Sequence, residues 1–171
     1  MNQKVFFQDQ QKEDVFKEVE DYITTMVRIK DKDMNRPWGG FFVIEEADAE
    51  RFIENFFPNL TSTELSIAGK LSPKILMVQP GKKLSWQYHH RRAEIWKLIN
   101  GRAGVIKSDD DAEKDLVILE PGDIINLKQG ERHRLMGLDT WGIVAEIWQH
   151  TDADHPSDEE DIVRLQDDFG R

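Results

Sequence analysis

From residue 63 to residue 149 the chain reads as nine short β-type runs separated by turn residues. The runs are Thr63 to Ala68, Lys74 to Gln79, Leu84 to His89, Glu94 to Ile99, Gly101 to Lys107, Asp115 to Leu119, Asp123 to Leu127, His133 to Leu138 and Gly142 to Gln149. Between them stand Pro80-Gly81, Asn100-Gly101, Asp109 to Asp111 and Pro121-Gly122, residue pairs and clusters that favour tight turns. Many short strands at this spacing close into a sandwich, a jelly roll or a barrel, because each alone buries only one face. No internal repeat interrupts the pattern.

The N-terminal third is different. Val15, Val19, Tyr22 or Ile23, Met26 and Ile29 recur at steps of three and four, which predicts an amphipathic helix from about Asp14 to Ile29. Lys30 to Asp33 then reads as a solvated connector. Arg36-Pro37-Trp38-Gly39-Gly40 predicts a turn, Phe41 to Ile44 a short strand, and Ala47 to Phe56 a second helix ended by Pro58. The expected organisation is an N-terminal helical extension over 1–35, an all-β barrel over 36–150, and an acidic C-terminal segment of the same domain over 151–171.

Charge narrows the partners. The formal net charge is −10, and residues 150–171 supply −6 of it, with eight Asp or Glu against Arg164 and Arg171. The stretch Asp152 to Glu160 therefore reads as a mobile tail. No basic stripe exists for nucleic acid, so an anionic ligand would need a local cationic pocket. Cysteine is absent, which excludes disulfides and thiolate chemistry. Neither a signal-peptide core at Met1 to Asp14 nor an apolar run of membrane-spanning length is visible, so no membrane association is expected and the cytoplasm is the expected location.

Within the β region, Gln87 and His89 share a strand face because side chains alternate. Glu94 follows five residues after His89, and His133 stands on a later strand after the turn Gln129-Gly130-Glu131. Two imidazoles, a carboxylate and an amide oxygen make a mixed nitrogen and oxygen set suited to one divalent ion: zinc first, with iron, manganese, cobalt or nickel as alternatives.

The frame around these residues resembles the cupin family. Gly81, five residues, Gln87-Tyr88-His89, four residues, Glu94, six residues and Gly101 match the spacing of its first motif. Gly122, five residues, Lys128-Gln129-Gly130, two residues, His133, three residues and Gly137 match the second. Gln87, Lys128 and Gly137 replace the usual His, Pro and Asn. The resemblance implies a double-stranded β-helix, or jelly-roll barrel, with Gln87, His89, Glu94 and His133 as metal ligands. Among cupins the chain is most similar to the isomerase domain of type II phosphomannose isomerases. Arg36 to Gly39, Leu84 to Trp96, His133 to Leu135, Glu146-Ile147, Glu160 to Arg164 and Asp167 to Arg171 carry that similarity. Trp86 and Ile95 stand where that family usually has Leu and His, which predicts an altered pocket. Neither a nucleotidyltransferase domain nor a glycine-rich nucleotide loop is expected within these residues.

What the resemblance implies is interconversion of mannose 6-phosphate and fructose 6-phosphate through an enediol. Such a reaction needs a metal to polarise oxygens, a proton-transferring group and a cationic phosphate anchor. Glu146, set among apolar neighbours that would raise its pKa, is the expected base, with His90 as the other possibility although alternation turns it off the metal face. Arg134 is the first expectation for the phosphate, with Arg92, Lys74 and Lys128 beside it, although parity sets Arg134 opposite His133. Trp38, Trp86, Trp96, Trp141 and Trp148 offer a sugar-stacking surface or core packing. A non-catalytic cupin binding a sugar or sugar phosphate, and another metal-dependent cupin enzyme such as a dioxygenase, are the alternatives. A homodimer is the expected assembly.

Overall fold

A computed structural model describes residues 11–65 and 70–167. The chain begins with helix α1 (Lys12–Ile23), strands β1 (Ile29–Arg36) and β2 (Gly39–Ile44), a 3-10 turn (Glu46–Asp48), and helices α2 (Ala49–Phe56) and α3 (Ser62–Leu65). Then come β3 (Lys74–Val78), β4 (Trp86–Tyr88), β5 (Arg92–Asn100), β6 (Ala103–Ser108), β7 (Val117–Leu119), β8 (Ile124–Leu127), β9 (Arg132–Gly137), β10 (Gly142–His150) and β11 (Val163–Gln166). They form a six-stranded sheet in the order β1-β2-β3-β10-β5-β8 and a five-stranded sheet in the order β11-β4-β9-β6-β7. Neighbouring strands run antiparallel throughout.

Side-chain alternation divides the buried residues into two sets. Leu76, Val78, Trp96, Leu98 and Val144 of the first sheet meet Val105, Leu119 and Leu135 of the second in the barrel interior. Ile75, Met77, Ile95, Ile143, Ala145 and Ile147, one residue out of phase, pack on the opposite face against Val15, Phe16, Val19, Phe52 and Phe56 of the helices. The larger sheet is thus covered on both sides, and β3 and β10 accordingly read as almost continuous apolar runs rather than alternating ones. Phe16 anchors α1, with its ring 5.5 Å from Phe42 and 6.2 Å from Trp141. Turn chemistry holds the ends of the strands: Gly101 has φ +73°, and a Cβ there would collide with the Trp141 carbonyl.

Four expectations are corrected. Helix α1 stops at Ile23, where Thr24 caps it, and Ile29 instead opens β1. The charged stretch Lys30 to Asp33 is the body of that edge strand, pairing with Phe41 to Val43. An edge strand with exposed faces carries no apolar alternation, so nothing in its sequence marks it as a strand. The run beginning at Thr63 is helical through Leu65, with Thr61 accepting the Glu64 N–H as an N-terminal cap. Residues 66–68 of that run lie outside the described residues. Finally, the acidic segment is not a free tail: Ser157 and Asp161 are buried, and β11 adds a strand to the smaller sheet beside β4. Local hydrogen bonding inside a polar stretch leaves no hydrophobic period to read. Among the described residues no helix is long and apolar enough to cross a membrane.

Candidate metal centre

His89, Glu94 and His133 converge at one end of the barrel. Register explains it: Gln87 on β4 is the cross-strand partner of His133 on β9, while Glu94 and Trp148 are partners across β5 and β10. One step along, Lys74, Glu146 and Trp96 form a row across β3, β10 and β5. All of these positions have inward parity. The nitrogens and oxygen of the triad lie within 4.8 Å of one another, and all three residues are buried.

The hydrogen bonds of the imidazoles decide what this cluster can hold. His89 Nδ1 lies 2.7 Å from the Asp161 carbonyl and His133 Nδ1 lies 3.0 Å from the Glu131 carbonyl. Carbonyls only accept, so Nδ1 carries the proton in each ring and Nε2 presents a lone pair. Both Nε2 atoms point at the same carboxylate oxygen, Glu94 Oε1, at 2.9 and 3.0 Å. Glu94 Oε1 and His133 Nε2 have no hydrogen-bond partner, and His89 Nε2 receives only a long contact from Arg92 at 3.3 Å. Doubly protonated rings would also satisfy Glu94, but burial lowers the His89 pKa and keeps that ring neutral near pH 7. Three converging acceptors therefore call for a cation, and the donor set fits a divalent transition metal or zinc. Gln87 lines the same cavity, with its Oε1 accepting from Ser85 Oγ at 2.7 Å and a second lone pair left over.

Beside the triad is a half-open cavity of about 90 Å³ lined by Arg36, Lys74, Arg92, Glu146, Glu159 and Arg164, with Trp38, Phe41, Trp96 and Trp148 among its aromatic walls. Glu146 is held by two indoles: Trp148 Nε1 donates to Oε1 and Trp96 Nε1 to Oε2, each at 2.7 Å. Burial, followed by the charge of Glu94 and a hydrogen bond to it, pushes the Glu146 carboxyl up to about 8. Burial alone would raise Glu94 too, but the charge of the Arg92 guanidinium leads the effects that oppose it, and that carboxyl is held well below the usual range. The two carboxyls thus sit side by side with their affinities for a proton driven apart. Lys74 lies 4.8 Å from the Phe41 ring centroid and 4.3 Å from that of Trp148, and burial lowers its pKa to about 8 against the pull of Glu146. The Arg92 guanidinium stacks 3.6 Å over Trp148.

Among the other expected site residues, Lys74, Arg92 and Glu146 line this cavity and Arg134, His90 and Lys128 do not. Arg134 follows the parity of β9 outward, where it is buried under the 110–114 loop, donating to the Leu84 carbonyl at 2.9 Å and to Glu113 at 3.1 Å. His90 is exposed, its ring edge-on to Tyr88, and Lys128 is exposed in the turn before β9. Neither Trp86 nor Ile95 lines the cavity: Ile95 packs among the helices, and Trp86 donates its indole N–H to the Asp111 carbonyl. Unforeseen were Ser85, Arg164, Glu159 and Asp161, whose carboxylate accepts the His90 and Arg91 N–H groups while its carbonyl orients His89. Asp161 and Arg164 fall in the similarity stretch Glu160 to Arg164 and Ser85 in Leu84 to Trp96, whereas Glu159 carries no signal of its own. Residues 168–171 of the terminal stretch lie outside the described residues.

Two antiparallel sheets packed as a β-barrel that carries an inward His, Glu and His at one end define a cupin. The chain belongs to the family described as "Mannose-6-phosphate isomerase C-terminal", whose profile matches residues 49–167. Its relatives include XanB, the xanthan biosynthesis protein of Xanthomonas campestris pv. campestris, 29% identical over 107 residues (63% of this chain, 21% of XanB). The alginate biosynthesis protein AlgA of Pseudomonas aeruginosa is 28% identical over 125 residues (73% and 24%). The mannose-1-phosphate guanylyltransferase of Escherichia coli is 26% identical over 140 residues (82% and 23%). The chain thus spans about a fifth to a quarter of the length of these relatives. Similar solved structures are the oxalate decarboxylase of Lactobacillus farciminis (TM-score 0.53, 16% identity, 82% of this chain and 34% of that one) and the capsular polysaccharide assembling protein CapF of Staphylococcus aureus (TM-score 0.52, 14%, 80% and 34%). At that identity the likeness is one of fold.

Proposed function

We propose that this chain is a metal-dependent sugar-phosphate isomerase that interconverts mannose 6-phosphate and fructose 6-phosphate. The observation that carries the reading is the juxtaposition of Glu146 and Glu94 in one cavity that Lys74 and Arg92 also line. Gln87, His89, Glu94 and His133 would hold the ion, zinc first among the divalent metals, and the ion when bound would supply Lewis-acid stabilisation of developing oxyanion charge. Glu146 takes the proton from C2 of the aldose and returns it to C1, while the hydroxyl proton on O2 passes to O1 as the enediol collapses. The two indole donors fix the carboxyl in place for that transfer and leave its oxygens facing the cavity. Lys74 and Arg92 anchor the phosphate, since both are cations that burial leaves poorly hydrated.

Relatives named for xanthan and alginate biosynthesis support a role in supplying precursors for polysaccharide. The partners in this reading are the sugar phosphate and a second copy of the chain, in the cytoplasm. The test is the metal-loaded protein with mannose 6-phosphate, following fructose 6-phosphate formation. Turnover that disappears in Glu94→Ala and His133→Ala is expected. Absence of turnover with every aldose or ketose phosphate tried, in fully metallated protein, would overturn the proposal.

A further inference from the structure

We propose that Glu159 is an internal anion occupying the phosphate subsite, and that it must swing out for a phosphate monoester to bind. The inference rests on the sugar-phosphate reading above and concerns how that site is kept closed. Lys74 is only 5% exposed and its ammonium lies between Phe41 and Trp148, yet it forms an ion pair with Glu159, whose side chain is 56% exposed. A carboxylate from the surface thus reaches inward to a cation on the cavity wall. Arg92 lies against the same Trp148, and Arg36 and Arg164 line the same cavity. Four cations around one small space form an anion subsite, and in this state its anion is the protein's own.

Size makes the same point independently. A cavity of about 90 Å³ holds about three waters at roughly 30 Å³ each. Pockets for small organic ligands begin at about 300 Å³. A whole hexose phosphate needs more room than this, and Glu159, an exposed side chain on the cavity wall, is able to give it. Its backbone neighbours are tied down: the Ser157 N–H donates to His150 Nδ1 at 2.9 Å, Arg92 donates to Ser157 Oγ at 2.8 Å, and Asp161 accepts from the His90 and Arg91 amides at 2.9 and 3.0 Å. Rotation of one side chain, without unfolding the segment, exchanges a carboxylate for a phosphate on Lys74. Such a competitor lowers apparent affinity by the fraction of molecules in which it is seated.

The experiment is calorimetric titration of zinc-loaded full chain with inorganic phosphate and with fructose 6-phosphate, comparing wild type, Glu159→Gln and Glu160→Gln. Glu160 is exposed on the same turn, so its substitution makes the same change in net charge away from the cavity. Glu159→Gln should bind both probes roughly 3- to 10-fold tighter, and Glu160→Gln should match wild type. Neutral fructose should gain nothing from either substitution. Equal affinity in the two variants, or weaker binding in Glu159→Gln, would overturn the proposal. The readout needs no turnover: tightening without isomerisation rejects the isomerase reading and leaves this one, while isomerisation with equal affinities does the reverse. Absence of phosphate binding in all three proteins overturns both.

Discussion

Replacing Glu146 by Gln separates the structural work of this carboxyl from its chemistry. Each of its oxygens accepts one indole N–H at 2.7 Å, from Trp96 and Trp148. A protonated carboxyl can still accept at both oxygens, whereas an amide accepts at one and presents N–H at the other. Glu146→Gln therefore leaves one buried indole N–H facing a donor, a loss of about 1–3 kcal/mol. In a chain of 171 residues this corresponds to a Tm lowered by roughly 2–12 °C. The gap depends on pH in a defined sense. Because the folded pKa is raised to about 8, the folded state holds the proton more tightly than the unfolded chain. The stability this contributes is complete below the ordinary carboxyl pKa near 4.5 and is lost as pH rises through about 8. Thermal denaturation of chelator-treated protein from pH 5.5 to 8.5 should show the wild-type advantage shrinking steadily with pH. Isomerisation by the metallated variant should fall by about 10²- to 10⁴-fold. A Tm gap that is absent, or constant over that range, would refute the account of Glu146.

Two further predictions concern the scaffold. Phe16→Ala should cost about 3–5 kcal/mol in chemical denaturation, because its ring is fully buried between Phe42 and Trp141; an effect below about 1 kcal/mol would mean that α1 is not part of the core. Arg28 donates from its backbone and its guanidinium to Asp48 and lowers that carboxyl to about 2, so the stability it lends is complete above the usual carboxylate pKa near 4 and is lost as pH falls through about 2. The Tm difference between wild type and Asp48→Asn should accordingly be steady from pH 7 to 5 and narrow below pH 4, and a difference that widens on acidification would contradict this.

The parts of the molecule readable in the sequence are those set by local rules. Glycines at turns and alternation along strands announce a barrel, and the spacing between Gly81 and Gly101 delivers Gln87, His89 and Glu94 to one end. Parity also forecast that Arg134 and His90 would turn away from the metal face, an objection that proved a better guide than the preference for them as site residues. What escaped depends on contacts distant in sequence. Nothing local to Lys30 to Asp33 reveals that Phe41 to Val43 will pair with it. Nothing local to Glu159 reveals Lys74, 85 residues away, nor does Asp161 advertise that its carbonyl fixes the tautomer of His89. Ile95, conspicuous as a departure within a motif, was misleading because β5 is buried on both faces and that position belongs to the helical layer.

The claim on which the rest depends is that three acceptors at His89, Glu94 and His133 converge on a cation. Calorimetric titration of chelator-treated protein with zinc tests it most directly. One ion per chain in the wild type and none in His133→Ala, with the variant still folded by circular dichroism, is the predicted result. Failure of the wild type to bind, or unchanged stoichiometry and affinity in His133→Ala, would contradict it.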